Sequence, residues 1–211
     1  MLLTVVDYGV GNLRSIAKSI EKANSDNNLN YSVKISSDID DVKKSDKIVL
    51  PGQGSFKACK TGIDNIKGLQ TELNESILVK KKPIYGICAG MQLFATKGYE
   101  EETTLGLNWI PGEVNKLDLG ESKLKIPHMG WNELKVVNNS KVFKDTNNHN
   151  HAYFIHSYEF IPENKRVISL TSNYGKDVMA AVSMDNIFGS QFHPEKSQET
   201  GLMILTNFLN L

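Results

Sequence analysis

The chain has 211 residues, of which 40% are hydrophobic and 23% charged, and its 24 basic side chains balance 24 acidic ones. This length suits one domain with a substantial core, and a net charge of zero provides no basic field for nucleic acid or an anionic membrane. No apolar run reaches the roughly 18 residues of a membrane-spanning helix, and no signal-peptide pattern is present. We expect a cytoplasmic protein in which a cysteine is free to act as a nucleophile.

The first half of the chain alternates short apolar runs with helical patterns. Apolar residues recur at helical spacing from Leu13 to Ile20, between Ser55 and Lys81 with a break near Gly68, and over Met91–Ala95. Strands separated by helices predict an α/β fold with a parallel sheet covered by helices on both faces. The four predicted strands are Leu2–Val6, Tyr31–Ile35, Lys47–Leu50 and Pro83–Ile87.

After Gly106 the sequence becomes rich in short β-like runs, and a last helix is predicted over Gly201–Leu209. The polar segment Asn138–Asn150 is interpreted as a surface loop without chemistry. Neither a repeat nor a long linker divides the chain, so we expect a single domain over residues 1–211. The predicted strands of this half are Trp109–Leu117, Glu133–Val137, Tyr153–Ile155, Val167–Thr171, Val178–Ser183 and Ile187–Phe192.

A cysteine follows the fourth predicted strand directly, in the sequence Gly86-Ile87-Cys88-Ala89-Gly90. Glycines two positions on either side of a nucleophile permit the tight strand-to-helix turn that lifts a side chain above the sheet edge. The positive end of a helix favours a thiolate there, and the backbone amide of Ala89 is free to donate to an oxyanion. The pattern predicts a nucleophilic Cys88, and an inert cysteine beside a glycine turn is the alternative.

A nucleophilic cysteine needs a base, and the base needs a group that orients it. His193 follows the predicted strand Ile187–Phe192, and Glu195 comes two residues later. Because the carboxyl ends of parallel strands cluster at one edge of a doubly wound sheet, both can meet the cysteine. We interpret His193 as the base and Glu195 as its orienting carboxylate. Taken alone, His-Pro-Glu is also typical of a turn that ends a strand.

The loop Pro51–Gly54 comes directly after the third predicted strand. Glycines let a backbone amide approach a ligand closely and change its orientation. An amide near Gln53, together with that of Ala89, would form an oxyanion hole with two donors. A simple turn is the alternative interpretation.

Six strings spread over the whole chain occur in the same order in one known family. They are Asp7-Tyr8-Gly9-Val10-Gly11-Asn12-Leu13, Pro51-Gly52-Gln53-Gly54, Gly86-Ile87-Cys88-Ala89-Gly90-Met91-Gln92, Pro127-His128-Met129-Gly130-Trp131-Asn132, Tyr153-Phe154-Ile155-His156-Ser157-Tyr158 and Gln191-Phe192-His193-Pro194-Glu195-Lys196-Ser197. The chain resembles the glutaminase subunits of imidazole glycerol phosphate synthase, which are class I (triad) glutamine amidotransferases. The resemblance implies a single flavodoxin-like, doubly wound domain with a mostly parallel central sheet and extra antiparallel strands in the second half.

The resemblance also assigns site residues. Cys88 matches the family's nucleophile, His193 its base and Glu195 the orienting carboxylate, in a reaction that converts glutamine to glutamate and ammonia. The matches to the glutamine site and the oxyanion loop are Gly52, Gln53, Gly54, Ala89 and Gln92. Gln53 and Ala89 depart from the family, which usually has a small apolar residue at the first position and a larger one at the second. Both positions contribute mainly backbone amides, so the expected mechanism is retained.

A partner follows from the same resemblance. The family's subunits dock a (β/α)8-barrel cyclase and pass it ammonia, giving imidazole glycerol phosphate and aminoimidazole carboxamide ribotide in histidine biosynthesis. We expect a heterodimer without cofactor or metal. His149 and His151 lie two apart, but no further ligands are spaced to complete a metal site. The expected interface residues are Asn12, Trp131, Tyr153 and Lys196.

Three other functions stay open on the sequence alone. A paralogous glutaminase could supply ammonia to a synthetase that amidinates or aminates surface sugars, by the same half-reaction. A non-catalytic doubly wound module could only scaffold a partner, although an intact Cys88, His193 and Glu195 argue against it. A cysteine hydrolase of peptides or γ-glutamyl conjugates would work without any partner.

Overall fold

A computed structural model describes residues 1–211, the whole chain. The helices are α1 (Leu13–Asp26), α2 (Ile39–Lys44), α3 (Phe56–Asn65), α4 (Leu69–Asn74), α5 (Ala89–Gln92) and α6 (Gln198–Leu209), with a π-helical turn at Glu75–Val79 and 3-10 turns at Lys165–Val167 and Pro194–Lys196. The strands are β1 (Leu2–Val6), β2 (Ser32–Ser36), β3 (Lys47–Leu50), β4 (Ile84–Ile87), β5 (Lys97–Gly98), β6 (Thr104–Leu105), β7 (Gly112–Lys116), β8 (His128–Glu133), β9 (Lys135–Val136), β10 (His151–His156), β11 (Tyr158–Pro162), β12 (Ile168–Asn173), β13 (Asp177–Met184) and β14 (Ile187–Ser190).

The central sheet has eight strands in the order β2-β1-β3-β4-β14-β13-β12-β9. The first five are parallel, and the last three continue the sheet in antiparallel fashion. Strands β3 and β4 are buried along their whole length, because both faces of a parallel sheet are covered by other elements. The order of the five parallel strands is that of flavodoxin-like sheets, so the expected fold class is confirmed.

Helices cover both faces of the sheet and create two apolar cores. On one side α3 and α4 bury Phe56, Ile63 and Leu73 against the sheet. On the other side α1 and α6 pack together and bury Ile16 and Phe208. No helix has the length and hydropathy needed to cross a membrane.

Two smaller sheets flank the central one. Strands β8 and β10 form an antiparallel pair in which Trp131 faces Tyr153 and Met129 faces Ile155. The other small sheet has the order β11-β7-β5-β6. Because β10 and β11 are separated only by Ser157, the chain passes directly from the first small sheet into the second.

The first half contains the four predicted strands, but the short helix α2 was not predicted and the helix after Cys88 differs. It was expected over Met91–Ala95, whereas α5 ends at Gln92. The carbonyls of Leu93 and Phe94 accept hydrogen bonds from the backbone of Leu107 and Trp109, at 2.7 and 2.9 Å, and this long-range pairing replaces the next helical turn.

Two further predictions in the second half need correction. The strand expected at Glu133–Val137 is divided, because β8 pairs with β10 whereas β9 pairs with β12, and the chain changes sheets at the buried Leu134. The segment Asn138–Asn150 is not wholly a surface loop. Its Val142 and Phe143 are buried in the core under α6, and Phe143 packs 6.4 Å from the ring of Tyr85.

Candidate active site

Cys88 occupies a sharp turn between β4 and α5. Its backbone has φ 53° and ψ −116°, a left-handed conformation that costs energy for a residue with a side chain and is typical of functional sites. A Cβ atom at Gly86 would lie 2.6 Å from the Cα of Met91, and one at Gly90 would lie 2.2 Å from the carbonyl oxygen of Leu50. Both glycines are therefore required for this turn, as the sequence pattern predicts.

The sulfur of Cys88 lies at the base of a cavity of about 300 Å³ at the carboxyl edge of the parallel sheet. The side-chain nitrogen Nε2 of Gln191 is 3.5 Å from Sγ, and the carbonyl oxygen of Ile155 is 4.0 Å away. The cavity can hold a small polar molecule beside the sulfur. Its lining includes Gln53, Gly54, Ala89, Gln92, Glu100, Pro127, Ile155, His156, Ser157, Tyr158 and His193.

His193 and Glu195 meet at the same edge. The imidazole Nδ1 of His193 is 2.8 Å from Oε1 of Glu195, and both side chains are buried. The backbone N–H of His193 donates to the carbonyl of Tyr153 at 3.0 Å, and the Ser197 hydroxyl donates to the His193 carbonyl at 2.6 Å. These bonds hold the imidazole of His193 with its Nδ1 on the carboxylate of Glu195. The other ring nitrogen, Nε2, is therefore free to interact with Cys88.

The imidazole of His193 favours the charged form. Burial lowers the pKa of His193, but interactions with Cys88 and Glu195 outweigh it and raise the pKa to about 9. A protonated ring between a sulfur and a carboxylate stabilises a thiolate on Cys88 and can deliver a proton to a leaving group. The second carboxylate oxygen of Glu195 has no hydrogen-bond partner in the chain.

The loop Pro51–Gly54 packs directly on the cysteine turn. A Cβ at Gly52 would lie 1.9 Å from the backbone nitrogen of Gly90, so the two backbones touch. The Tyr8 hydroxyl donates to the Pro51 carbonyl and anchors the loop from beneath. Gly54 has φ 140°, and it lines the cavity with Gln53.

The donors of an oxyanion hole are only partly aimed at the cavity. Ala89 is the first residue of α5, where backbone N–H groups have no partner within the helix. The backbone of Gln53 instead lies close enough to the thiol of Cys59 on α3 to oppose the rise in its pKa. The Ala89 amide is thus available beside Cys88, whereas the backbone of Gln53 interacts with Cys59.

We expect Gly52→Ala to remove most of the catalytic activity of the site, because the added methyl group would collide with the backbone of Gly90 and push the loop away from Cys88. Loss of one oxyanion donor typically lowers kcat by roughly 10²–10³. Steady-state kinetics with a thermal melt separates misplacement from unfolding. Gly120→Ala is a control with open space around the new methyl group, although its φ of 56° adds slight strain. Equal losses in the two variants would contradict the close approach.

Gln92 lies in the cavity as expected, and it is joined to residues that the sequence analysis did not single out. Its Nε2 donates to the carbonyl of Tyr158 at 3.0 Å and to Oε1 of Gln191 at 2.9 Å. Gln191 and Tyr158 both fall inside the strings that carry the family resemblance. Position in those strings was the only available signal, because their contacts join distant parts of the chain.

Three of the four expected interface residues form one cluster on the surface. The ring of Trp131 meets that of Tyr153 edge to face at 6.1 Å, and the Nζ of Lys196 lies over the Tyr153 ring at 5.5 Å. Met129 and Ile155 extend this face, with exposures of 61% and 38%. Asn12 instead directly precedes α1 and caps it, because its side chain accepts a hydrogen bond from the backbone N–H of Ser15.

The remaining candidates lie outside the cavity. Cys59 is fully buried, and burial raises the pKa of its thiol to about 12, against smaller opposing effects of Tyr8 and the Gln53 backbone. It is therefore a poor nucleophile. His149 and His151 contact each other through a ring nitrogen and a carbonyl, and no group of three metal-ligating side chains occurs in the chain.

Residues 4–211 match the family model for glutamine amidotransferase class-I. The chain is 49% identical over 211 residues to "Imidazole glycerol phosphate synthase subunit HisH" of Pelagibacter ubique, with all of both chains covered. It is 43% identical to the protein of the same name from Bradyrhizobium diazoefficiens, over 99% of this chain and 98% of the other. Among solved structures, the glutaminase domain of Trypanosoma brucei CTPS with bound acivicin has a TM-score of 0.68 at 18% identity, covering 100% of this chain and 94% of that one. At this identity the last likeness concerns the fold alone.

Proposed function

The chain belongs to the class I glutamine amidotransferase family, and we propose that it is the glutaminase subunit of an imidazole glycerol phosphate synthase in histidine biosynthesis. It hydrolyses glutamine to glutamate and ammonia. The observation that carries the chemistry is the strained turn that places Cys88 beside the His193–Glu195 pair in one cavity.

The first half-reaction forms a thioester. The thiolate of Cys88 attacks the side-chain carboxamide carbon of glutamine, and the oxyanion accepts a hydrogen bond from the Ala89 amide. The C–N bond then breaks as His193 transfers its proton to the departing nitrogen, which leaves as ammonia. The pKa of His193, raised to about 9, supports this role because the ring carries its proton at neutral pH.

The second half-reaction releases glutamate. Neutral His193 removes a proton from water, and the resulting hydroxide attacks the thioester carbon. Collapse of the tetrahedral intermediate breaks the C–S bond and restores the Cys88 thiolate beside a protonated His193. The carboxylate of Glu195, 2.8 Å from Nδ1, stabilises the charged ring in both steps.

Ammonia has to reach its acceptor before water protonates it, since ammonium is not a nucleophile. The apolar face formed by Met129, Trp131, Tyr153 and Ile155 borders the cavity, because Ile155 belongs to both. An exposed apolar patch beside a reactive site supports a docking role for this face. We propose that a (β/α)8-barrel cyclase binds there in a cytoplasmic heterodimer and receives the ammonia, with Lys196 at the edge of the interface and Asn12 on the adjoining loop.

We expect His193→Ala and Glu195→Gln both to slow glutamine hydrolysis, with the histidine change the more severe. His193 transfers protons itself, whereas Glu195 orients and stabilises the ring. Steady-state glutamate release by each variant in complex with the synthase partner measures the two effects. An equal or larger loss in Glu195→Gln would contradict these roles.

The covalent intermediate tests the chemistry directly. The complex is mixed with radiolabelled glutamine, quenched in acid and digested, and label is sought on the peptide that contains Cys88. We expect a γ-glutamyl adduct that disappears on treatment with hydroxylamine, as a thioester does. Label on the Cys59 peptide, or glutamine turnover without any adduct in rapid-quench samples, would count against the proposed nucleophile.

A further inference from the structure

Gln191 is a fully buried amide that contacts the reacting sulfur. It lies between β14 and His193, and its backbone N–H donates to the carbonyl of Ala180 at 2.8 Å. Its side-chain Nε2 is 3.5 Å from Sγ of Cys88. An amide nitrogen is a donor and a thiolate is a charged acceptor, so a hydrogen bond between them is favoured when Cys88 is ionised.

The orientation of the Gln191 amide follows from its neighbours. The carbonyl oxygen of Tyr158 can only accept, so the atom of Gln92 that lies 3.0 Å from it must be the NH₂ group. The same NH₂ group lies 2.9 Å from the Gln191 side chain, which must present its oxygen there. The other end of the Gln191 amide, facing Cys88, is therefore the donor. Gln92 uses both of its N–H groups in this arrangement and has only its oxygen left for a ligand.

A second set of side chains fixes the Tyr158 carbonyl. It accepts from Nδ1 of His156 at 2.9 Å, and Nε2 of the same ring lies 3.0 Å from Nδ1 of His128. Nε2 of His128 accepts from the amide of Asn132 on β8, at 2.8 Å. This sequence of bonds requires one proton on each ring. Burial lowers the pKa of His128 to about 3 and that of His156 to about 4, so both rings are neutral.

The contacts thus form one connected network, in which the His156 ring and Gln92 both donate to the Tyr158 carbonyl, Gln92 also donates to Gln191, and Gln191 donates to the sulfur. We propose that Gln191 is a catalytic residue whose side-chain amide donates to the Cys88 thiolate and stabilises it, with Gln92 and the His128–His156 pair as positioning residues. This inference rests on the proposed function, since it assigns a role in the same reaction. It adds to the triad a neutral donor that acts on the nucleophile without transferring a proton.

The variant Gln191→Met tests this role, because methionine keeps a similar length but has no donor. We measure alkylation of Cys88 by iodoacetamide as a function of pH in the full chain, with the modified peptide identified by mass spectrometry. The titratable groups that face the sulfur are His193, His156 and Glu100 from the cavity, and Tyr8 and Cys59 from behind the loop. All of them are unchanged in the variant.

We expect the alkylation profile of Gln191→Met to move to higher pH and its rate at neutral pH to fall at least about tenfold, as for a lost hydrogen bond to a charged group. In complex with the synthase partner, kcat for glutamine should fall more than KM rises. The matched control is Asn207→Leu, which removes another buried amide, bonded at 3.1 Å to the carbonyl of Val142 and not part of the cavity lining. Its alkylation profile should overlap that of the wild type.

A second variant keeps the test decisive if Gln191→Met does not fold, as judged by the absence of a cooperative thermal transition. Gln92→Met leaves Gln191 in place but removes the group that orients its amide, so the same shift of the profile is expected at smaller size. Unchanged alkylation in a folded Gln191→Met or Gln92→Met protein, or an equal shift in Asn207→Leu, would overturn the inference. Alkylation needs no turnover, so failure here is distinguishable from failure of the proposed glutaminase function, which the γ-glutamyl adduct tests.

Discussion

Cys88→Ala is expected to abolish glutamine-dependent synthesis by the complex while synthesis from added ammonia continues. The variant keeps the turn and the cavity, but no other thiol lines the cavity. Loss of the nucleophile of a hydrolase typically lowers kcat by about 10⁶. Parallel assays of product formation with glutamine and with ammonium salts, at a pH where free ammonia is abundant, measure the two activities.

Cys59→Ser is the matched control for this experiment. It removes the second thiol, but its hydroxyl can still accept from the backbone of Gln53 and interact with Tyr8. We expect this variant to retain most of its glutamine-dependent activity. Residual turnover by Cys88→Ala near the wild-type rate, or a comparable loss in Cys59→Ser, would show that the wrong thiol has been chosen.

The parts of the site that the sequence predicted are those defined by short segments. A strand, a glycine, a cysteine and a second glycine form the local pattern of the turn at Cys88. The steric demand on Gly86 comes from Met91 and Phe94, which are close in the chain, whereas that on Gly90 comes from Leu50 and Pro51 at the end of β3. Similarly, His193 and Glu195 lie two residues apart and meet within their own turn. Local chemistry of this kind can be interpreted without knowing the fold.

The parts that the sequence did not predict depend on long-range pairing. Gln191 and Cys88 are 103 residues apart, Gln92 contacts Gln191 from 99 residues away, and only the sheet order brings them together. The early end of α5 also depends on long-range pairing, because the carbonyls of Leu93 and Phe94, which follow the helix, accept hydrogen bonds from the segment around Leu107. Composition and periodicity carry no information on such contacts.

We expect the isolated chain to hydrolyse glutamine very slowly, and a barrel cyclase carrying its precursor nucleotide to raise the rate by orders of magnitude. The backbone of Gln53 interacts with the thiol of Cys59 and opposes the rise in its pKa, so the oxyanion hole is served chiefly by Ala89 at rest. Rotation of the Pro51–Gly54 loop would add a second donor, worth roughly 10²–10³ in rate. Glutamate release is measured for the chain alone, with the cyclase, and with cyclase plus precursor.

Binding of a partner can change the position of the Pro51–Gly54 loop through contacts that are already present in the isolated chain. Tyr8, whose hydroxyl holds the Pro51 carbonyl, begins the segment that leads to Asn12, and a Cβ at Gly11 would lie 3.1 Å from the Pro51 side chain. On the other side, Tyr153 accepts from the backbone N–H of His193 while its ring belongs to the exposed cluster. A partner that contacts both segments can therefore change the positions of the Pro51–Gly54 loop and of His193 together.

Two outcomes would contradict this prediction. Full activity of the isolated chain would favour a free-standing cysteine hydrolase. Activation by a sugar-modifying synthetase, with no response to the cyclase, would assign the chain to the modification of surface sugars instead.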